Sequence, residues 1–189
     1  METIDYQDYA KKGSGNGLPL HELMAEAFKQ PILEALARPA DFVIHRDEKE
    51  DYLYRWWLSE RTKGGSVYLH LYLNGDENEQ PHDHPWDSMS VCLVGGYIEE
   101  IFANDIGTVT RRLSTREVSE GQVIFRGQNS IHRILRAKPG TMTLFFTGQV
   151  VKPWGFFERG AFTPAADAVE IWSGPEGSVH SKPKLKANE

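Results

Sequence analysis

The sequence predicts an all-β protein, and three observations carry that prediction. From Asp41 onward, nine short runs rich in β-branched and aromatic residues follow one another: DFVIHR, YLYRWWL, SVYLHLYL, SMSVCLV, YIEEIF, TVTRRL, QVIFR, IHRIL and TMTLFFTGQVV. Gly, Asn, Asp and Pro punctuate them as turns. No stretch of helical period intervenes, so the strands are expected to pair antiparallel in a sandwich or barrel. The chain's 189 residues suit one domain with extensions and suffice for a hydrophobic core.

Taken in order, residues 1–17 end in KKGSGNG, a Gly/Ser/Asn cluster that reads as a flexible lead-in. Residues 18–40 form a helical segment. Leu20, Leu23, Met24, Ala27 and Phe28 recur at three- and four-residue spacing. Pro31 is expected to end or kink that helix, and a second short helix, Ile32 to Ala37, stops before Pro39. The β domain then occupies 41–173. The pattern weakens beyond Trp154, and 174–189, ending in HSKPKLKANE, reads as a mobile tail.

Composition narrows the function classes. The 21 basic and 27 acidic side chains give a formal charge of −6, which argues against nucleic acid as the main partner. No apolar run reaches the roughly 20 residues of a membrane span. The polar opening METIDYQDYAKK lacks the look of a secretory signal, so a cytoplasmic location is expected. The single cysteine, Cys92, excludes an intrachain disulfide framework and sulfur-rich zinc modules, and its mid-strand place in VCLV suggests a buried structural thiol.

The chemistry is concentrated in PHDHPWDSMSVCLVGGYIEE, residues 81–100. His82 and His84 are two apart, so an extended backbone turns both imidazoles to one face. His132 follows fifty residues later, at the start of a strand after the glycine-rich turn of GQVIFRGQNSIHR. Two imidazoles from one strand and one from another can occupy one face of an octahedral metal and leave positions open. Iron(II) is the first expectation, and zinc, nickel, manganese or copper also suit imidazole.

His82-x-His84 followed by a strand ending at Gly96 resembles the first cupin motif, and Gly121 … Gly127 … His132 resembles the second, with Arg126 where a proline is usual. The resemblance covers roughly residues 41–150 and implies a cupin-type (jelly-roll) β-barrel, here preceded by short helices. Cupins usually carry a ligand glutamate four or five residues after the second histidine; those positions are Ser88 and Met89. Asp87 lies one residue short and stays open as a fourth ligand through a bulge. A three-histidine site without glutamate is similar to that of thiol dioxygenases, as is an arginine well before the HxH, here Arg55. The family's late-strand serine, histidine and tyrosine are replaced by Thr143, Phe145 and Thr147. The string YRWWL, VYLHLYL, HDHPWDSMSVCLVGGYIE and LFFTGQVVKPWGF also resembles a set of uncharacterised cupins from proteobacteria and their phages.

The resemblance implies a mononuclear non-haem Fe(II) dioxygenase held by His82, His84 and His132. Its partners would be a small anionic, thiol-containing substrate and dioxygen. Arg55 would bind the substrate's carboxylate through a bidentate fork; Arg126 and Arg133 are alternative anion clamps. Tyr68, His70 and Tyr72 share one face of VYLHLYL, opposite Val67, Leu69, Leu71 and Leu73. If their face is the interior, they line the pocket and orient oxygen; the alternation fits either face. Trp86 shares the face of His84 and would wall the pocket, while Trp154, Phe156 and Phe157 cover one end of the barrel. His21, His45 and His180 show no partner pattern. Two other classes stay open: a metal-dependent isomerase or lyase acting on a sugar or carboxylic acid, and a non-catalytic binding module. A homodimer through the sheets is open as well.

Overall fold

The computed structural model describes residues 19–45, 50–59, 64–73, 80–103, 111–158 and 161–184, so the expected lead-in over 1–17 lies outside the described residues. Two short helices come first, α1 (Leu20–Ala27) and α2 (Lys29–Leu36). The break between them falls at Phe28, three residues before the proline expected to cause it. Pro31 sits in the first turn of α2, where an N–H would have no intrahelical acceptor to lose.

Nine strands follow in the order read from the sequence: β1 (Phe42–His45), β2 (Asp51–Trp57), β3 (Ser66–Tyr72), β4 (Ser88–Val94), β5 (Gly96–Phe102), β6 (Arg112–Ser119), β7 (Val123–Arg126), β8 (Ile131–Ala137) and β9 (Thr141–Thr147). The start of the TVTRRL run, residues 108–110, lies outside the described residues, and β9 stops before GQVV. A hairpin, β10 (Gly155–Glu158) and β11 (Ala161–Pro164), is followed by a single helical turn, α3 (Ala165–Ala168). The last strands are β12 (Val169–Ser173) and β13 (Val179–Pro183).

The larger sheet runs β12-β13-β1-β2-β3-β9-β4-β7, and a smaller one runs β6-β5-β8. Among the described residues all pairings are antiparallel except β1 with β13. The tight β4–β5 turn needs Gly95 and Gly96, at φ +82° and +155°; a Cβ on Gly96 would stand 2.5 Å from the Val118 carbonyl oxygen.

Where the sequence indicates a mobile tail, residues 179–183 form a strand in the main sheet. His180 is the reason. It stacks on His45 at 5.0 Å and lies 5.5 Å from the Trp172 ring, and its Nδ1 meets His45 Nε2 at 2.7 Å. His45 in turn reaches Asp51 at 2.7 Å. The His45–His180 contact joins residues 135 positions apart, so local pattern does not announce it.

The larger sheet is covered on both faces. On its outer face Val67, Leu69, Met89, Val91, Val123, Leu144 and Phe146 pack beneath Leu20, Met24, Phe28 and Ile32 of the helices. Phe28 meets Phe146 edge-to-face at 5.7 Å. On its inner face Tyr72, Cys92 and Ile124 pack against Tyr97, Val118, Ile134 and Ala137 of the smaller sheet. The polar side of VYLHLYL is therefore the interior, because the helices take the apolar side. Cys92 is buried there, and burial, with the Glu120 charge, pushes its thiol up to about 11.

Candidate metal centre

His82 and His84 lie on the extended stretch before β4, and His132 is the second residue of β8. Backbone pairing brings the two motifs together. The His82 N–H donates to the His132 carbonyl at 2.9 Å, and the His132 N–H donates back at 3.0 Å. On the other side Phe157 N–H donates to the Pro81 carbonyl at 2.7 Å, clamping the HDH stretch between β8 and β10. One nitrogen from each of the three rings falls within 4.8 Å of the others.

The ring orientations suit a cation. His82 Nδ1–H donates to the Gln80 carbonyl at 3.2 Å, and His132 Nδ1 stands 2.7 Å from a Glu99 carboxylate oxygen. Both rings are thus fixed in the tautomer whose lone pair is on Nε2. His132 Nε2 faces His84 Nε2 at 2.9 Å. Two ligands cis to each other on an octahedral ion, with metal–nitrogen bonds of about 2.1 Å, stand about 3 Å apart. Burial, first of all, keeps the imidazoles neutral and able to ligate: His82 is lowered to about 3, and His84 and His132 are lowered as well. The three side chains, two of them with an acceptor at Nδ1, fit a metal ion.

Glu99 is the residue that sequence reasoning missed. It is wholly buried on β5, and besides His132 it accepts from Arg126 Nε at 2.6 Å and Arg116 Nη2 at 2.6 Å. Burial works against its charge, but Arg126 and His132 outweigh that and hold the carboxyl well below its ordinary range. The signal was present in YIEE: alternation puts Glu99 on the same side as Tyr97, facing inward. Asp83, between the ligand histidines, was also passed over. It points the opposite way, pairs with Lys152 and accepts the Gly155 N–H at 2.9 Å, fixing the segment that carries Trp154.

The remaining expected site residues fall into two groups. Arg126 and Arg133, read from sequence as anion clamps, are both bonded to carboxylates within the protein. Arg126 is buried on Glu99 and donates to Tyr97 Oη at 3.0 Å. Arg133 alternates to the face opposite His132, and its Nε donates to Glu100 at 2.5 Å, directly across the β5–β8 pair. Asp87, left open as a fourth ligand, is exposed and accepts the Gln128 N–H at 2.8 Å in the turn after β7; it is not part of the histidine group.

Within the interior, Trp86 and Trp154 flank His84 on near-parallel planes, at 6.2 and 6.3 Å, and Phe156 lies 5.8 Å from His82. Phe157 turns instead to Phe162. Tyr68, His70 and Tyr72 are all buried. Phe145 joins them to the histidines, 5.0 Å from His70 and 6.1 Å from His84. Arg55 donates from Nε to His70 Nε2 at 2.9 Å and lies over the Tyr68 ring at 5.2 Å. The Nε edge of the expected carboxylate fork is therefore occupied by His70.

Glu100 makes a test of the outer face. Arg112 and Arg133 hold its carboxyl below the ordinary range, outweighing burial. Its contribution to stability is thus present above the usual glutamate value and lost as the pH falls. Thermal melts should show Glu100→Gln less stable than the parent by about 1–2 kcal/mol near neutral pH. The gap should close below about pH 4.3. A gap independent of pH would contradict the assignment.

No family model matches the sequence, and neither does any curated protein. Solved structures similar to the chain include KdgF from Halomonas sp., at 15% identity over 55% of this chain and 86% of that one, with a TM-score of 0.38. A recombinant oxalate oxidase in complex with glycolate is similar at 18% identity, over 55% of this chain and 54% of that one, with a TM-score of 0.41. A cupin-like protein from Thermotoga maritima is similar at 12% identity, over 58% and 78%, with a TM-score of 0.37. The strand order and the meeting of the HxH stretch with His132 between two packed sheets give this chain the cupin-type β architecture that its motifs indicated.

Proposed function

We propose that the chain is a mononuclear metal enzyme, a non-haem Fe(II) dioxygenase acting on a small anionic substrate, with His82, His84 and His132 as the ligands. The observation that carries this reading is the ligand set: three convergent neutral imidazoles and, among the described residues, no carboxylate in the convergent group itself. Held by these three imidazoles, a divalent iron would supply redox chemistry toward dioxygen.

The chain's own residues do the rest. Glu99 and the Gln80 carbonyl hold two ligand rings in orientation. Trp86, Trp154 and Phe156 wall the histidines with apolar surface and limit water. Tyr68, His70 and Tyr72 form the polar floor on the inner face of β3, with the Arg55 charge behind them. A small substrate can settle between that floor and the metal, held in one orientation.

Oxygen uptake tests the reading. Iron-loaded protein given a panel of small thiol acids and other short carboxylic acids should consume dioxygen with at least one of them. Turnover that needs no dioxygen and persists with zinc would point to an isomerase or lyase instead. Absence of any uptake across the panel would sink the dioxygenase.

A further inference from the structure

The interior face of the larger sheet carries polar atoms that the fold leaves unanswered. His70 Nδ1, Thr143 Oγ1 and Ser88 Oγ are buried and have no hydrogen-bond partner among the described residues. His70 and Thr143 are direct partners across the β3–β9 ladder, and Arg55 stands opposite His70 on β2, so the three form one row on one face. Ser88 lies on the same face of the sheet, opposite Thr147.

The proton on His70 is settled by its neighbour. A guanidinium has no acceptor, so Arg55 Nε must donate, and His70 Nε2 at 2.9 Å must accept. Nδ1 then carries the hydrogen. Burial first, and then the Arg55 and Arg126 charges, hold the ring neutral. A buried N–H without an acceptor is costly, so an interior that keeps one favours a ligand that answers it. The guanidinium charge behind the ring strengthens that donor toward an anion.

We propose that His70 Nδ1–H, with the Thr143 hydroxyl beside it, is the recognition point for a carboxylate of the bound ligand, and that Arg55 is a positioning residue that fixes the His70 tautomer. This rests on the reading of the three-histidine interior as a small-molecule site. It places the anion-recognising atoms on a neutral imidazole and a hydroxyl, about one strand row away from the residues that surround His84. The ligand is then a short acid whose other end reaches the metal ligands past Phe145, which lies between His70 and His84.

The test uses chelator-treated, full-length protein labelled with ¹⁵N in its histidines, titrated with acetate, pyruvate, oxalate and succinate, and with ethylammonium as a donor-only control. At least one acid should move the His70 Nδ1–H resonance downfield saturably, and ethylammonium should not. His70→Phe should weaken that acid by about ten- to a hundredfold. His70→Asn, whose amide N–H stands near the position of Nδ1, should recover most of the affinity. In Arg55→Met the ¹⁵N shifts of His70 should report a mixture of tautomers, a change that loss of packing alone would not produce. If no acid moves the resonance, or if His70→Phe binds the acid unchanged, the proposal is overturned. Should His70→Phe fail to fold, the resonance in the parent protein decides. Iron analysis of the protein before chelator treatment is independent of this result, so failure of the metal reading and failure of the carboxylate site are distinguishable.

Discussion

Glu99→Leu should cost about 3–5 kcal/mol of stability, because it leaves the buried Arg126 guanidinium without its carboxylate. Arg126 is buried, so water cannot take over. Glu99 also joins Arg116, Arg126 and His132 at one point, and its removal breaks contacts to three strands at once. Glu99→Gln is the milder variant. It keeps the shape and one acceptor oxygen but removes the charge that orients His132 through Nδ1. Metal affinity should then fall by about 10–100-fold, the usual effect of losing a partner behind a ligand histidine. Denaturant melts check the first result, and competition with a metal-binding indicator checks the second. A Glu99→Leu protein as stable as the parent would refute the buried network.

Replacing a ligand should do more. His84→Ala removes a nitrogen that sits 2.9 Å from His132 Nε2, and two imidazoles remain where three converged. Affinity for Fe(II) should drop beyond the roughly hundredfold upper range for an outer partner. Metal analysis after dialysis should return protein essentially without iron. The β signature in circular dichroism should persist, since His84 is not among the residues of the core clusters. Iron retained by His84→Ala at the parent level would exclude the assigned centre.

Much of this was legible in the sequence for a physical reason. Strand alternation is local, so HDH alone puts His82 and His84 on one face, and the nine β-rich runs appear as strands in the expected order. The convergence of His132 on the same point followed from motif spacing. Glu99 was harder to see because a carboxylate inside a sheet makes sense only once Arg126 and His132, 27 and 33 residues onward, are beside it. Arg126 and Arg133 show the converse. Their positions near the ligand strand suggested ligand binding, but Glu99 and Glu100 on the neighbouring strand claim them.

Residue type and a period of two were enough for the β class, for His82 and His84 on one face and for the all-nitrogen donors of the candidate site. Which face of VYLHLYL looks inward depended on packing. Both faces of that strand are buried, one beneath α1 and α2 and the other against the smaller sheet, so alternation could not separate them. Packing the helices on Val67 and Leu69 turned Tyr68, His70 and Tyr72 toward the histidines, and with them the Arg55 charge.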